Sequence, residues 1–168
     1  MPREWETFYF MVGSSSAGLI GLLFVVVTLS AQSDSAKAEV ASRTFVTPTV
    51  FHFGVVLLIS TVAVMPDVPV SAMALAIAVI AVTGVALAGA IITRMVRGAV
   101  SVTHWSDYVF YGVLPGLAYL CLLTSAGSLW RGAGAALHGI ALGALALLFI
   151  GIRDAWDLAI WLTYHREG

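Results

Sequence analysis

Residues 151–161 read GIRDAWDLAIW, and the fold assigned to the whole chain turns on them. They follow a long apolar block and place Arg153, Asp154 and Asp157 ahead of a second apolar run, 158–162. Either a membrane-spanning helix ends here, or it continues, or a polar site lies within lipid. A straight helix over 133–165 would be about 50 Å long at ~1.5 Å per residue. That exceeds a hydrocarbon core of ~30 Å, and Gly151 is the natural point for a bend. On a helical wheel drawn from Arg153, the residues Arg153, Tyr164, Asp157, Trp161, Asp154 and His165 share an arc about 120° wide. The remaining arc holds Ala155, Trp156, Leu158, Ala159, Ile160 and Leu162. The spacing therefore predicts a span that is complete by residue 152 and an amphipathic helix over 153–165. Extended into water, that helix would expose Trp156 and several aliphatics, at ~1.5–3 kcal/mol for each larger side chain. It is expected instead to lie in the cytoplasmic interface, or to dock on the bundle or a partner subunit. Arg153, Asp157, Trp156 and Trp161 are its contact residues, with Arg153 and Asp157 spaced to pair along the helix.

Working outward, the composition supports a membrane address. Of 168 residues, 60 % are hydrophobic and 10 % charged, and mean hydropathy is +0.99. A soluble domain carries about 25 % charged residues. Net charge is −1 with no basic block, so nothing marks a nucleic-acid surface. The single cysteine, Cys121, lies in an apolar segment, which excludes an intrachain disulfide and a paired-cysteine metal site. The start, MPREWETFYFMVG, offsets its one Arg with Glu4 and Glu6 and lacks a short apolar core leading to a cleavage site. The first apolar block is read as a retained span.

Five blocks are long enough to cross a bilayer: 8–30, 45–65, 70–93, 108–130 and 133–152. No alternation of period two supports a barrel. The expected fold is an all-α integral membrane protein. One membrane domain covers 1–168: a five-transmembrane-helix bundle with the C-terminal amphipathic interfacial helix. Lys37, Arg43, Arg94, Arg97, Arg153 and Arg166 fall on one side, and Arg3 and Arg131 on the other. The bias places the N-terminus outside and the C-terminus in the cytoplasm. Ser106–Asp107 reads as an N-cap and acidic first turn for span four. Segment 33–43 reads as a short cytoplasmic extension of helix two.

Small residues recur four apart. Gly13, Ala17 and Gly21 share a face of span one, Gly112 and Gly116 of span four, Gly139 and Gly143 of span five, and Gly84 and Ala88 of span three. Such faces let helix backbones approach closely, within one bundle or against another subunit. Pro115, inside the span-four pair, is expected to bend that helix. Two histidines, His52 and His138, fall inside spans. Ionisable residues there are suspected of function. Their depths are too different for one haem between them in a single subunit, and a single axial haem or pigment ligand stays open. Thr49, His52 and Ser60 form a polar stripe able to line a path. No carboxylate falls inside the five spans, which counts against a proton pump or cation-coupled transporter. No HExxH, phosphate loop or Ser/His/Asp set appears, and no catalytic residue or cofactor is assigned.

GSSSAGLIGLLFVVVTL (13–29) together with GIRDAWDLAIW resembles an uncharacterised group of small bacterial inner-membrane proteins. The resemblance implies a multi-pass bacterial inner-membrane address and no activity or cofactor. Three functions remain, in this order. The chain is a non-enzymatic subunit that self-associates or docks on a larger membrane complex. Or it is a small oligomeric channel or facilitator for an ion or small solute. Or it binds haem or a pigment through one His. Lipid, further copies of the chain and other membrane subunits are the expected partners.

Overall fold

A computed structural model describes residues 3–31, 47–97 and 109–164. Every regular element among them is helical: α1 Arg3–Ala31, α2 Thr47–Val64, α3 Val70–Val96, a π-helical turn Val109–Val113, α4 Leu114–Trp130 and α5 Ala136–Tyr164. Ser106–Asp107 and segment 33–43 lie outside the described residues.

Four stretches among the described residues are long and apolar enough to cross a membrane: Arg3–Leu29, Val70–Val96, Val109–Trp130 and Ala136–Ile160. The fifth expected span, 45–65, is represented by a shorter apolar helix, Pro48–Val64. That helix is also the most enclosed. Leu58, Thr61 and Val64 are its only exposed side chains among those described. Its side chains are mostly apolar, and its polar Thr49, His52 and Ser60 are buried rather than turned outward. The other helices turn large apolar side chains outward, among them Phe10, Leu22 and Phe24 of α1, Leu75 and Val79 of α3, Leu117 of α4 and Phe149 of α5. Water penalises such a surface and hydrocarbon does not.

Outward hydroxyls follow the same logic. Ser15 donates to the Met11 carbonyl (2.9 Å), Thr28 to Phe24 (2.8 Å), Thr83 to Val79 (2.9 Å) and Thr93 to Gly89 (2.7 Å). Each bond runs one turn back along its own helix. Each hydroxyl is thereby satisfied without a partner outside its helix, as a hydrocarbon surrounding would require.

The chain forms two compact units, 62–147 and 1–61 with 148–168. In the 62–147 unit, α3 and α4 pack antiparallel through small residues. Gly84 lies under the Tyr119 ring, Gly112 lies against Ile92, and a methyl added at Gly116 would sit 3.8 Å from Ala88 Cβ. Gly139 and Gly143 of α5 meet Ser125 and Leu122 of α4 in the same antiparallel sense. The turn between them is set by Gly132, whose φ of 75° favours a residue without Cβ. Its N–H donates to Leu129 and that of Ala133 to Ser128 (2.9 and 3.0 Å), closing the α4 C-terminus.

Two expectations concern helix shape. Pro115 lies within the helical stretch Val109–Trp130, directly after its π turn Val109–Val113, and the wider turn is where its missing N–H is accommodated. Gly151 does not separate a span from a second helix. Helix α5 starts at Ala136, not at 133, and runs unbroken to Tyr164. At ~1.5 Å per residue its 29 residues extend about 43 Å. Residues 153–164 are its continuation.

Candidate functional site

In the unit made of 1–61 and 148–168, α1 and α2 run antiparallel. Gly13 faces Ser60, where a methyl on Gly13 would sit 2.8 Å from Ser60 Cβ. Ser16 donates its hydroxyl proton to the Phe53 carbonyl at 2.6 Å, between buried partners. Helix α5 joins at the same level. A methyl on Gly151 would sit 2.6 Å from Phe53 Cε1, so the absence of a side chain there admits the phenyl ring. Ser16, Phe53 and Gly151 thus tie three helices together at one height.

Around that contact an apolar interior collects polar groups. Tyr9, Ser16, Thr49, His52, Ser60 and Asp154 are all buried. Thr49 and His52 lie within one turn of Phe53 along α2, and Asp154 within one turn of Gly151 along α5. From Thr49 to Ser60 the helix rises about 16 Å, roughly half a hydrocarbon core. At the N-terminal end of α1, Tyr9 is enclosed by aromatic rings, stacked on Trp5 (centroids 6.0 Å) and edge-on to Phe8 (5.1 Å).

Asp154 corrects the wheel drawn from the sequence. It was placed with Arg153 and Asp157 on the polar stripe, and Leu158 on the apolar arc. It is 0 % exposed, as is Leu158, whereas Trp156 is 67 % exposed. The buried seam of α5 is Leu147, Gly151, Asp154 and Leu158, spaced four, three and four. Asp154 is therefore a core position of a continuous helix, and a carboxylate does lie in the interior. Arg153 and Asp157 pair at 3.4 Å, each about one-third exposed. Neither oxygen of Asp154 has a hydrogen-bond partner among the described residues, and neither does Ser60 Oγ. Buried groups of this kind are rare, because leaving one unmatched costs about 1–3 kcal/mol.

The remaining expected residues fall as follows. Gly13, Gly112, Gly116, Gly139 and Gly143 sit at contacts within the chain, while Ala17 and Gly21 are exposed, with nothing within 4 Å of a methyl placed on Gly21. His138 is exposed in the first turn of α5. Trp156 lies on the outer face with Ile152, and the Trp161 side chain lies outside the described residues. Reading for depth found Thr49, His52 and Ser60, and missed Tyr9, Ser16 and Asp154. Comparison with family models, with curated proteins and with solved structures finds no match for this chain.

Proposed function

We propose that this chain is a non-enzymatic, multi-pass protein of the bacterial inner membrane that provides a path for an ion or small solute. The observation that carries the reading is the buried polar set Ser16, Thr49, His52, Ser60 and Asp154 among otherwise mostly apolar buried side chains. Ionisable groups enclosed among membrane helices mark ion and proton routes more than they mark stable packing. Five crossings, with α2 as the enclosed one, put the N-terminus outside and the C-terminus in the cytoplasm, in keeping with the Arg and Lys bias. Alternate crossings also make α2 and α5 antiparallel. That sets Thr49 level with Asp154, at the cytoplasmic end of the path, and Ser60 toward the outside. The bacterial address follows the resemblance carried by residues 13–29 and 151–161.

The full chain reconstituted in liposomes tests this. Flux of ions and small neutral solutes above protein-free vesicles, changed by His52→Ala, supports it. Vesicles silent to every solute overturn it.

A second reading, a subunit that self-associates, rests on one face. Ala17 and Gly21 of α1 are small, exposed and outside the intrachain contacts. With Cys121 replaced by Ser, a disulfide trapped between Gly21→Cys chains in native membranes would support a homo-oligomer. Failure to trap any dimer at 17 or 21 removes that face from consideration.

A further inference from the structure

We propose that Asp154 is a proton-binding site and that the species carried along the buried polar line is the proton. The inference rests on the path reading above and names its solute.

Asp154 is fully enclosed, and neither carboxyl oxygen meets a donor among the described residues. Its neighbour Arg153 pairs with Asp157 at 3.4 Å. A bare carboxylate so placed would have lost its water and gained no matching bond, which is several kcal/mol unfavourable at the least. The site needs a cationic ligand small enough for a packed seam. A metal ion does not fit the surroundings. Hard cations take about six or more oxygens, and the buried side chains at the Ser16–Phe53–Gly151 contact and within one turn of it supply oxygens only from Ser16, Thr49 and Asp154 itself. Among the described residues no set of three His, Cys, Asp or Glu gathers to hold a metal. A proton needs one oxygen and no coordination shell, and the neutral acid packs beside Leu158 without a counter-charge.

The surrounding groups suit the same cargo. Hydroxyls and an imidazole both accept and donate protons, and Thr49, His52 and Ser16 lie within a turn of the contact that Asp154 adjoins. Ser60 marks the far end with an unmatched buried hydroxyl, which does not bond the carbonyl four residues back as its neighbour Thr61 does (2.8 Å). The titratable groups near Asp154 on the described helices of this unit are His52 on α2 and Arg153 and Asp157 on α5. Those of α1, namely Arg3, Glu4, Glu6 and Tyr9, lie two or more turns from Ser16. Proton exchange at Asp154 is thus coupled first to the Arg153–Asp157 pair beside it on α5.

A membrane-soluble carbodiimide, dicyclohexylcarbodiimide, tests this on the full chain in native membranes. It reacts with a protonated carboxyl out of water. The acid proton moves to a carbodiimide nitrogen, the carboxyl oxygen bonds the central carbon, and the acyl group then migrates to nitrogen with nothing leaving. The expected result is a single adduct per chain by intact mass, mapped by peptide sequencing to Asp154. It is unaffected by excess sodium or potassium, retained in Asp157→Asn and lost in Asp154→Asn. No adduct on Asp154, an adduct on Asp157 instead, or protection by sodium or potassium each overturns the proton site; protection would assign a metal cation. A second arm follows acidification of dye-loaded liposomes under a potassium diffusion potential. Proton entry by the wild type, reduced to the protein-free rate in Asp154→Asn, supports proton carriage. Labelling of Asp154 with no flux of any solute keeps the site and refutes the path. Flux of other solutes without protons keeps the path and refutes the proton as its cargo.

Discussion

Replacing Asp154 by leucine should make this protein more stable and less active. The buried carboxyl leaves two oxygens unmatched at a position 0 % exposed, a penalty of about 1–3 kcal/mol that the substitution removes. A leucine in the Leu147–Gly151–Leu158 seam adds burial of about 1.5–3 kcal/mol. Its branched end fits less well than the shorter aspartate, which costs about 1–3 kcal/mol. The expected balance is a gain of about 1–3 kcal/mol, within the range found when buried charges are exchanged for apolar groups. Asp154→Asn, nearly isosteric and still polar, should shift stability by less than about 1 kcal/mol, since its amide meets the same donor-poor surroundings. The assay is reversible unfolding in mixed dodecyl maltoside and dodecyl sulfate micelles, followed by tryptophan fluorescence, with both variants beside the wild type. A stability gain together with lost proton flux would be the signature of a group kept for function at the expense of packing. A loss of more than about 2 kcal/mol in the leucine variant would refute the reasoning, because it would mean that the carboxyl holds partners that bind it firmly.

Three further outcomes are expected from the packing. Gly84→Ala places a methyl in the Tyr119 ring and should cost about 1–3 kcal/mol, whereas Gly89→Ala on the same helix, with nothing within 4 Å, should gain up to ~1 kcal/mol from helix propensity; the same micelle titration measures both. Ser16→Ala removes the 2.6 Å bond to Phe53 and should cost about 1 kcal/mol, while Ser15→Ala, which loses only a bond to its own helix, should stay within about 0.5 kcal/mol. His52→Ala should leave the circular dichroism of the folded chain unchanged and lower liposome flux, and an unaltered flux would remove His52 from the path.

The helices were legible because their causes are local. Long apolar blocks set where α1, α3, α4 and α5 lie, and glycines four apart marked Gly112, Gly116, Gly139 and Gly143 as places of close approach. Asp154 was not legible on the wheel, because it sits at the edge of both arcs. It lies about 100° from Arg153 but only about 40° from Leu158. Treating 153–165 as a new helix assigned it to the charged side. The decisive signal was the four-three-four spacing of Leu147, Gly151, Asp154 and Leu158, which carries one seam across the glycine. Gly151 was read as a bend for the same reason that glycine is ambiguous anywhere in a helix. It loosens the backbone, and it also makes room, and only the Phe53 ring on the neighbouring helix tells which. Ser16 stood among three consecutive serines, and no local rule separates the one that faces α2 from the two that do not.

Because one unit is assembled from residues 1–61 and 148–168, its order of assembly is constrained by synthesis. Phe53 is made 98 residues before Gly151, the glycine on which its ring rests. At roughly 5–20 residues per second, the first two helices wait about 5–20 s for the segment that covers them. During that interval the face of α2 that meets Gly151 has no α5 beside it. A ribosome that stops before residue 148 leaves a chain whose early helices are all present and whose polar interior is uncovered. Such a product lacks the Asp154 carboxyl and leaves the Phe53 ring without the glycine that admits it.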